Sequence, residues 1–462
     1  MSDIRDFDVV VLGAGPAGEV CAGRLAENGK SVALVERELV GGECSFYACM
    51  PSKALLRPAQ ALAEARRVPG AAEAAGGEID VRAVLRRRDE VIHDLDDSTQ
   101  LPWIEDHEIT LVRGHGTIVG EREVRVGDEH LRASLAVVIA PGTTASIPPI
   151  PGLRECEPWT NREVTTAKAI PGSLLVLGGG VVGVEMAHAY ASLGARVTIV
   201  EALPRLIAGE EGFASQLLCE ALENLGVKVV LGVQATAVQR EDGQDHSAGP
   251  VTLELKDGRS FTGEELLAAV GRRPRTDALG LESLGLEAGR YVEVDETMRV
   301  PDHEWLYVVG DANGRALLTH MGKYQARLAA DHILGRPVQL RSDGRLSPRV
   351  IFTEPQVAAV GHTLASAEKA GLNVRAVDQP TEGNAGGSFI GQGAPGTARI
   401  VVDEDRRVIV GATFTGVDVA ESLHAATIAV VGEISLERLW HAVPCFPTRS
   451  ELWLNLLEAY GL

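Results

Sequence analysis

The chain has 462 residues, 45% of them hydrophobic, with 44 Lys and Arg against 64 Asp and Glu and a formal net charge of -20. That length exceeds one core and points to roughly three domains of about 150 residues each, while the acidic surplus disfavours nucleic acid and anionic membranes as partners. Six cysteines in so long a chain do not make a secreted disulfide scaffold, and no Cys/His cluster has metal-ligand spacing. With neither a signal-type N-terminus nor a membrane-length apolar run, the expected location is the cytoplasm.

Asp8–Leu12 reads as a buried strand, followed by Gly13-Ala14-Gly15-Pro16-Ala17-Gly18, a helical segment to about Asn28, and a strand Ser31–Val35 that ends in Glu36. This order of strand, glycine turn, helix, strand and acid is the context in which G-x-G-x-x-G binds a dinucleotide. Gly13 makes the turn, Gly15 lets backbone approach a pyrophosphate, Gly18 lets helix pack on strand, and Glu36 takes ribose hydroxyls.

Gly41-Gly42-Glu43-Cys44-Ser45-Phe46-Tyr47-Ala48-Cys49-Met50-Pro51-Ser52-Lys53 follows. Pro51 fits the first position of a helix, which sets Cys49 near a helix N-terminus, where partial positive charge favours a thiolate. Lys53 falls one turn further along. The bare spacing by itself points first to two ordinary cysteines, one buried and one incidental.

Ala59–Arg87 reads as helix, and residues 91–98 (VIHDLDDS) as a solvated acidic helix face around His93. Short strands are expected at Thr110–Val112, Gly116–Val119, Glu123–Val126 and Ala136–Ile139, and Ile147-Pro148-Pro149-Ile150-Pro151-Gly152 as a linker. The first pattern then recurs 165 residues on: a strand Leu174–Leu177, Gly178-Gly179-Gly180-Val181-Val182-Gly183, a helix, a strand Arg196–Val200 and Glu201. The cysteine pair therefore sits in a chain with two dinucleotide sites. Gly178, Gly180 and Gly183 repeat the three glycine roles, and Glu201 favours NAD because it would repel a 2'-phosphate. Arg205 keeps NADP open.

Strands are expected at Val227–Val230, Val251–Leu255 and Leu266–Val270, before Gly271-Arg272-Arg273-Pro274 breaks the pattern. Leu306–Val309 runs into Gly310-Asp311-Ala312 ahead of a helix from about Thr319 to Leu334. Asp311 fits either a contact to sugar hydroxyls or an ordinary helix cap. From Ser347 onward, five expected strands and helices at Val417–Val431 and Ser450–Tyr460 make an α+β unit with no cofactor motif.

Together these motifs resemble the FAD-dependent pyridine nucleotide-disulfide oxidoreductases, the class I family of dihydrolipoamide dehydrogenase, glutathione reductase and mercuric reductase. The resemblance rests on GGECSFYACMPSK, GAGPAG, GGGVVG with Glu185 just after it, AVGRRP, VVGDA and FTEPQVAAVG, and it covers essentially the whole chain. It implies an α/β fold with two Rossmann-like domains and a C-terminal α+β dimerisation domain. Residues 1–147, completed by 271–345, would bind FAD; residues 148–270 would bind NAD(P); residues 346–462 would form the interface of a homodimer. Gly13, Gly15, Gly18, Glu36, Gly310 and Asp311 would hold FAD, and Gly178, Gly180, Gly183 and Glu201 the nicotinamide nucleotide. Electrons would pass from NAD(P)H through FAD to a Cys44/Cys49 disulfide, with Cys49 on the flavin side and Cys44 as the interchange thiol. Lys53 and Glu185 would form the ion pair beside the flavin.

The far end departs from the family. The His-Pro-Thr-x-x-Glu pattern whose histidine serves the interchange thiol across the dimer reads Phe446-Pro447-Thr448-Arg449-Ser450-Glu451 here. Phenylalanine moves no proton, and such general acid-base help is worth about 10²- to 10⁴-fold. Candidates for the lost role are His441 and, less directly, a relay through Cys445; Glu451 keeps its place. Phe46, Tyr47 and Phe446 would form an aromatic wall suited to a planar acceptor. The leading expectation is thus a dihydrolipoamide dehydrogenase-like enzyme acting on a small-molecule disulfide or similar acceptor. The alternatives are a quinone or metal-ion reductase of mercuric type acting mainly through the flavin, and a non-catalytic flavin-binding scaffold subunit.

Overall fold

The structure, a computed structural model, describes residues 4–241 and 249–462. The chain divides into two compact units, one of residues 1–51, 89–146 and 271–344, the other of residues 52–88, 147–270 and 345–462.

In the first unit, the apolar run of strand Ile4–Leu12 leaves Val9, Val10 and Val11 wholly buried. A strand covered on both faces needs such a run. It lies between the parallel strands Val32–Glu36 and Glu129–Ile139, with Leu12 opposite both Val35 and Ile139. Thr110–Arg113 and Leu306–Val308 extend the parallel sheet, and Glu123–Val126 with Gly116–Gly120 add an antiparallel edge. Helix Pro16–Ala26 buries Cys21, Ala22 and Leu25 in this core.

The second unit repeats the design. Ser173–Leu177 lies between Arg196–Glu201 and Glu265–Ala268, all parallel, with Lys228–Leu231 at the edge. The repeat extends to single bonds: Gly13 N–H donates to Val35 O and Gly178 N–H to Val200 O, both at 2.8 Å. A separate five-stranded antiparallel sheet in this unit packs its apolar face on helices Leu423–Val431 and Leu452–Tyr460.

Several local expectations change. The single helix expected over Ala59–Arg87 is two, Cys49–Arg67 and Val81–Val91. Pro69 and Gly70 interrupt it, Gly70 at φ +94°, where a helix cannot continue. Residues 52–88, taken in sequence with the first nucleotide fold, pack in the second unit because Leu55, Leu56, Val84 and Leu85 share a core with Leu174, Val176 and Val184. The acidic stretch after Val91 is no helix face: His93, Asp94 and Leu95 all have positive φ. Strands Ala235–Arg240 and Ser260–Gly263, in a small antiparallel sheet with Val251–Leu255, were not anticipated.

Helix Val181–Ser192 is buried along most of its length, and the burial reaches His188, which is 6% exposed with a partnerless Nδ1 among the described residues. Burial pushes its pKa down from 6.5 to about 4. A neutral ring is favoured in the fold, so the unfolded chain binds the extra proton between those values. Its stabilising contribution is present above pH 6.5 and is lost as pH falls toward 4. Between pH 7.5 and 4.5 the native protein is expected to lose about 2 kcal/mol more stability than His188→Gln, checked by urea unfolding at both pH values.

Candidate active site

Both glycine turns are fixed by backbone contact. Gly13 and Gly178 sit at φ +108° and +111°, and a Cβ on Gly18 or Gly183 would fall 1.8 or 2.0 Å from the carbonyl oxygen of Gly13 or Gly178. The middle glycines differ. A Cβ on Gly15 would find its nearest neighbour at 4.0 Å and one on Gly180 nothing within 4 Å. Each is the N-cap of its helix, extended, with no side-chain cap. Open space against uncapped N–H groups at a helix N-terminus fits a diphosphate in both halves. The acids match as well: Glu36 accepts from Ala14 N–H and Glu38 N–H, each at 2.7 Å, and Glu201 from Gly179 N–H at 2.6 Å and Leu203 N–H at 2.7 Å. So oriented, a carboxylate keeps lone pairs for ribose hydroxyls. Arg205, the residue that kept NADP open, donates to the carbonyls of Ala208 and Glu210 at 2.7 and 2.8 Å. Its guanidinium is tied to its own loop.

In the first unit, Cys44 lies on a short helix, Gly42–Phe46, and Cys49 is the first residue of helix Cys49–Arg67, two positions earlier than the place of Pro51 implied. Both are thiols. The hydrogen bond with Cys49 raises the pKa of the Cys44 thiol most, burial and the charge on Cys49 add to this, and the Thr319 hydroxyl and Lys323 ammonium oppose it. Thr319 Oγ1 stands 3.4 Å from Cys49 Sγ and opens helix Thr319–Ile333, whose N-cap, Leu318, offers no side-chain cap. Sequence motifs did not single out Thr319 or Lys323; the only hint was the helix expected to begin near Thr319. Phe46 is 1% exposed, so it belongs to the core and not to an aromatic wall; the short helix turns it inward.

Asp311 lies in the turn Gly310–Asn313 and does not cap the later helix. Its Oδ2 accepts from Thr143 Oγ1 at 2.6 Å, and burial holds its carboxyl above the usual range against the pull of Thr143 and Arg272. Gly310 N–H donates to Gln325 Oε1 at 2.8 Å.

In the second unit, Lys53 Nζ and Glu185 Oε2 meet at 2.7 Å, with Glu185 3% exposed. Phe352 of the FTEP motif serves both partners: its N–H donates to Glu185 Oε1 at 2.9 Å, and its ring lies 4.7 Å from Lys53 Nζ. A buried carboxylate with its cation and a backbone donor is compensated on both oxygens. At the chain's end, Val443, Cys445 and Phe446 are exposed, Phe446 to 77%, and His441 is exposed beyond the helix Leu436–Leu439. Glu451 Oε2 is buried with no hydrogen-bond partner among the described residues. No cluster of three metal-ligating side chains and no helix long and apolar enough to cross a membrane occur among the described residues.

Residues 7–327 match the pyridine nucleotide-disulphide oxidoreductase family and residues 347–456 its dimerisation domain. The chain is 31% identical over 465 residues to a dihydrolipoyl dehydrogenase of Haloferax volcanii, covering 98% of this chain and 95% of that one. It is 26% identical over 450 residues to a mercuric reductase of Staphylococcus aureus, covering 96% and 81%. The solved structure of the HOCl-induced flavoprotein disulfide reductase RclA of Escherichia coli, as its Cu(II) complex, superposes with a TM-score of 0.84 at 23% identity, over 98% of this chain and 99% of that one, a likeness of fold. The chain belongs to the pyridine nucleotide-disulphide oxidoreductase family. It is an FAD- and NAD(P)H-dependent flavoprotein oxidoreductase, and its dimerisation domain supports a homodimer.

With Arg205 committed to its loop, Glu201→Ala is expected to raise the KM for NADH about tenfold or more without creating a preference for NADPH. Steady-state kinetics with both nucleotides check this.

Proposed function

We propose that this enzyme passes electrons from NADH to the Cys44/Cys49 pair and on to a small disulfide, in the manner of a dihydrolipoyl dehydrogenase. The observation that carries the reading is the three-atom cluster of the Cys44 thiol, the Cys49 thiol and the Thr319 hydroxyl at a helix N-terminus. FAD, held by the glycine turn at Gly13, Gly15 and Gly18 with Glu36, Gly310 and Asp311, supplies the two-electron relay between nicotinamide and thiols. NADH is held by Gly178, Gly180, Gly183 and Glu201. The Lys53–Glu185 ion pair is assigned the role of tuning the flavin. Residues 1–147, without the 52–88 stretch that packs in the second unit, serve FAD together with 271–345, residues 148–270 serve the nicotinamide nucleotide, and 346–462 the dimer.

Cys44 then attacks one sulfur of the acceptor as a thiolate, forming a mixed disulfide and releasing the first acceptor thiol. Cys49 attacks Cys44, which re-forms the Cys44–Cys49 disulfide and frees the second thiol. Because the Cys44 pKa is raised, little thiolate exists near pH 7 and its share grows with pH. Alkylation of Cys44 in the reduced enzyme is therefore expected to climb about tenfold per pH unit past pH 9, where an ordinary thiol levels off, as followed by peptide mass analysis. A cycling thiol pair suits the reducing cytoplasm.

The second reading, a quinone or metal-ion acceptor reduced mainly at the flavin, is favoured by Phe446. No acid-base group stands at that position, and the Glu451 Oε2 has no hydrogen-bond partner among the described residues. Anaerobic NADH titration tests the dithiol: a long-wavelength charge-transfer band at two electrons per flavin is expected, and full flavin reduction without it would exclude a working Cys49. Turnover with lipoamide, glutathione disulfide, a quinone and Hg(II) ranks acceptors. Phe446→His is expected to raise lipoamide turnover about tenfold or more, since the imidazole restores a proton carrier. Fast native lipoamide turnover unchanged by the substitution would remove the argument from Phe446.

A further inference from the structure

The first unit holds a chain of side chains that links its two chemical ends. Glu43, the residue before Cys44, is mostly buried and ion-paired on both oxygens: Arg272 Nη2 lies 2.5 Å from Oε2 and Arg275 Nη2 2.8 Å from Oε1. Arg272 also donates from Nε to Thr143 Oγ1 at 2.6 Å and from Nη2 to Thr143 O at 3.0 Å. Thr143 Oγ1, having accepted from Arg272, donates to Asp311 Oδ2 at 2.6 Å. Strand pairing of Arg272–Pro274 with Thr143–Ala145 fixes the two middle members to each other.

We infer that Glu43, Arg272 and Thr143 are positioning residues that couple occupation of Asp311 by FAD to the setting of the Cys44 helix. The inference rests on the proposed roles of Asp311 and Cys44. Each link is directional: Thr143 has one hydroxyl proton, so donating to Asp311 leaves its lone pairs to Arg272, and Arg272 presents its fork to Glu43. By linkage, any effect of FAD at Asp311 on the setting of Cys44 is matched by an equal effect of that setting on FAD binding.

Two substitutions test this in the holoenzyme. Glu43→Gln removes the charge that holds both arginines, and Thr143→Val removes the hydroxyl while keeping the shape. FAD release on dilution, read by flavin fluorescence, and alkylation of Cys44 after NADH reduction, read by peptide mass, are measured for each. Each variant is expected to shift both readouts, FAD release by about fivefold or more and Cys44 alkylation by about threefold or more. The double variant is expected to do little more than the larger single one, as members of one network do. A merely local role predicts the contrary: Glu43→Gln changes only alkylation, Thr143→Val only FAD release, and the effects add. That result overturns the coupling. Glu43→Asp, which keeps the charge at shorter reach, replaces Glu43→Gln if the latter yields no folded holoenzyme, with the same readouts. Asp311→Asn separates the underlying assignment: unchanged FAD release there removes Asp311 as an FAD ligand, independently of the other variants.

Discussion

In each half of the chain the third glycine of the turn lies so close to the carbonyl of the first that no side chain fits between them. The Gly18 and Gly183 contacts let a helix begin directly against the end of a strand, with its uncapped N–H groups aimed into open space. The Glu36 and Glu201 carboxylates are in turn oriented by main-chain donors of the turns that those glycines permit. Both glycine turns rest on this one steric constraint. It is duplicated down to individual hydrogen bonds, which is why one chain carries two nucleotide folds.

The thiol pair depends on a different force. Two sulfurs sharing a hydrogen bond cannot both ionise readily, so charge on one suppresses charge on the other. Thr319 and Lys323, on a helix far along the chain, oppose that suppression. The Lys53–Glu185 pair is a third case. Glu185 is too deeply buried to stand alone, and Phe352 holds it with a backbone N–H while presenting its ring to Lys53. Such charge–ring contacts are worth about 0.5–2 kcal/mol, comparable to a surface ion pair or better.

Phe446 bears on both acceptor readings because an exposed phenylalanine and a Glu451 oxygen without a partner among the described residues occur five residues apart. A carboxylate oxygen buried without a donor is costly.

The two nucleotide turns, their acids, the cysteine pair and the C-terminal α+β unit were legible in the sequence because each depends on local rules. Glycine at positive φ, a strand's apolar run and a fixed spacing from turn to acid act within about 30 residues. What only tertiary structure decided lies across longer separations. Thr319 reaches Cys49 from 270 positions away, Phe352 meets Glu185 across 167, and Arg272 meets Glu43 across 229. No periodicity in the chain encodes those meetings. The same reason reassigned residues 52–88 and Phe46: an apolar side chain carries the instruction to be buried, but only packing determines in which core.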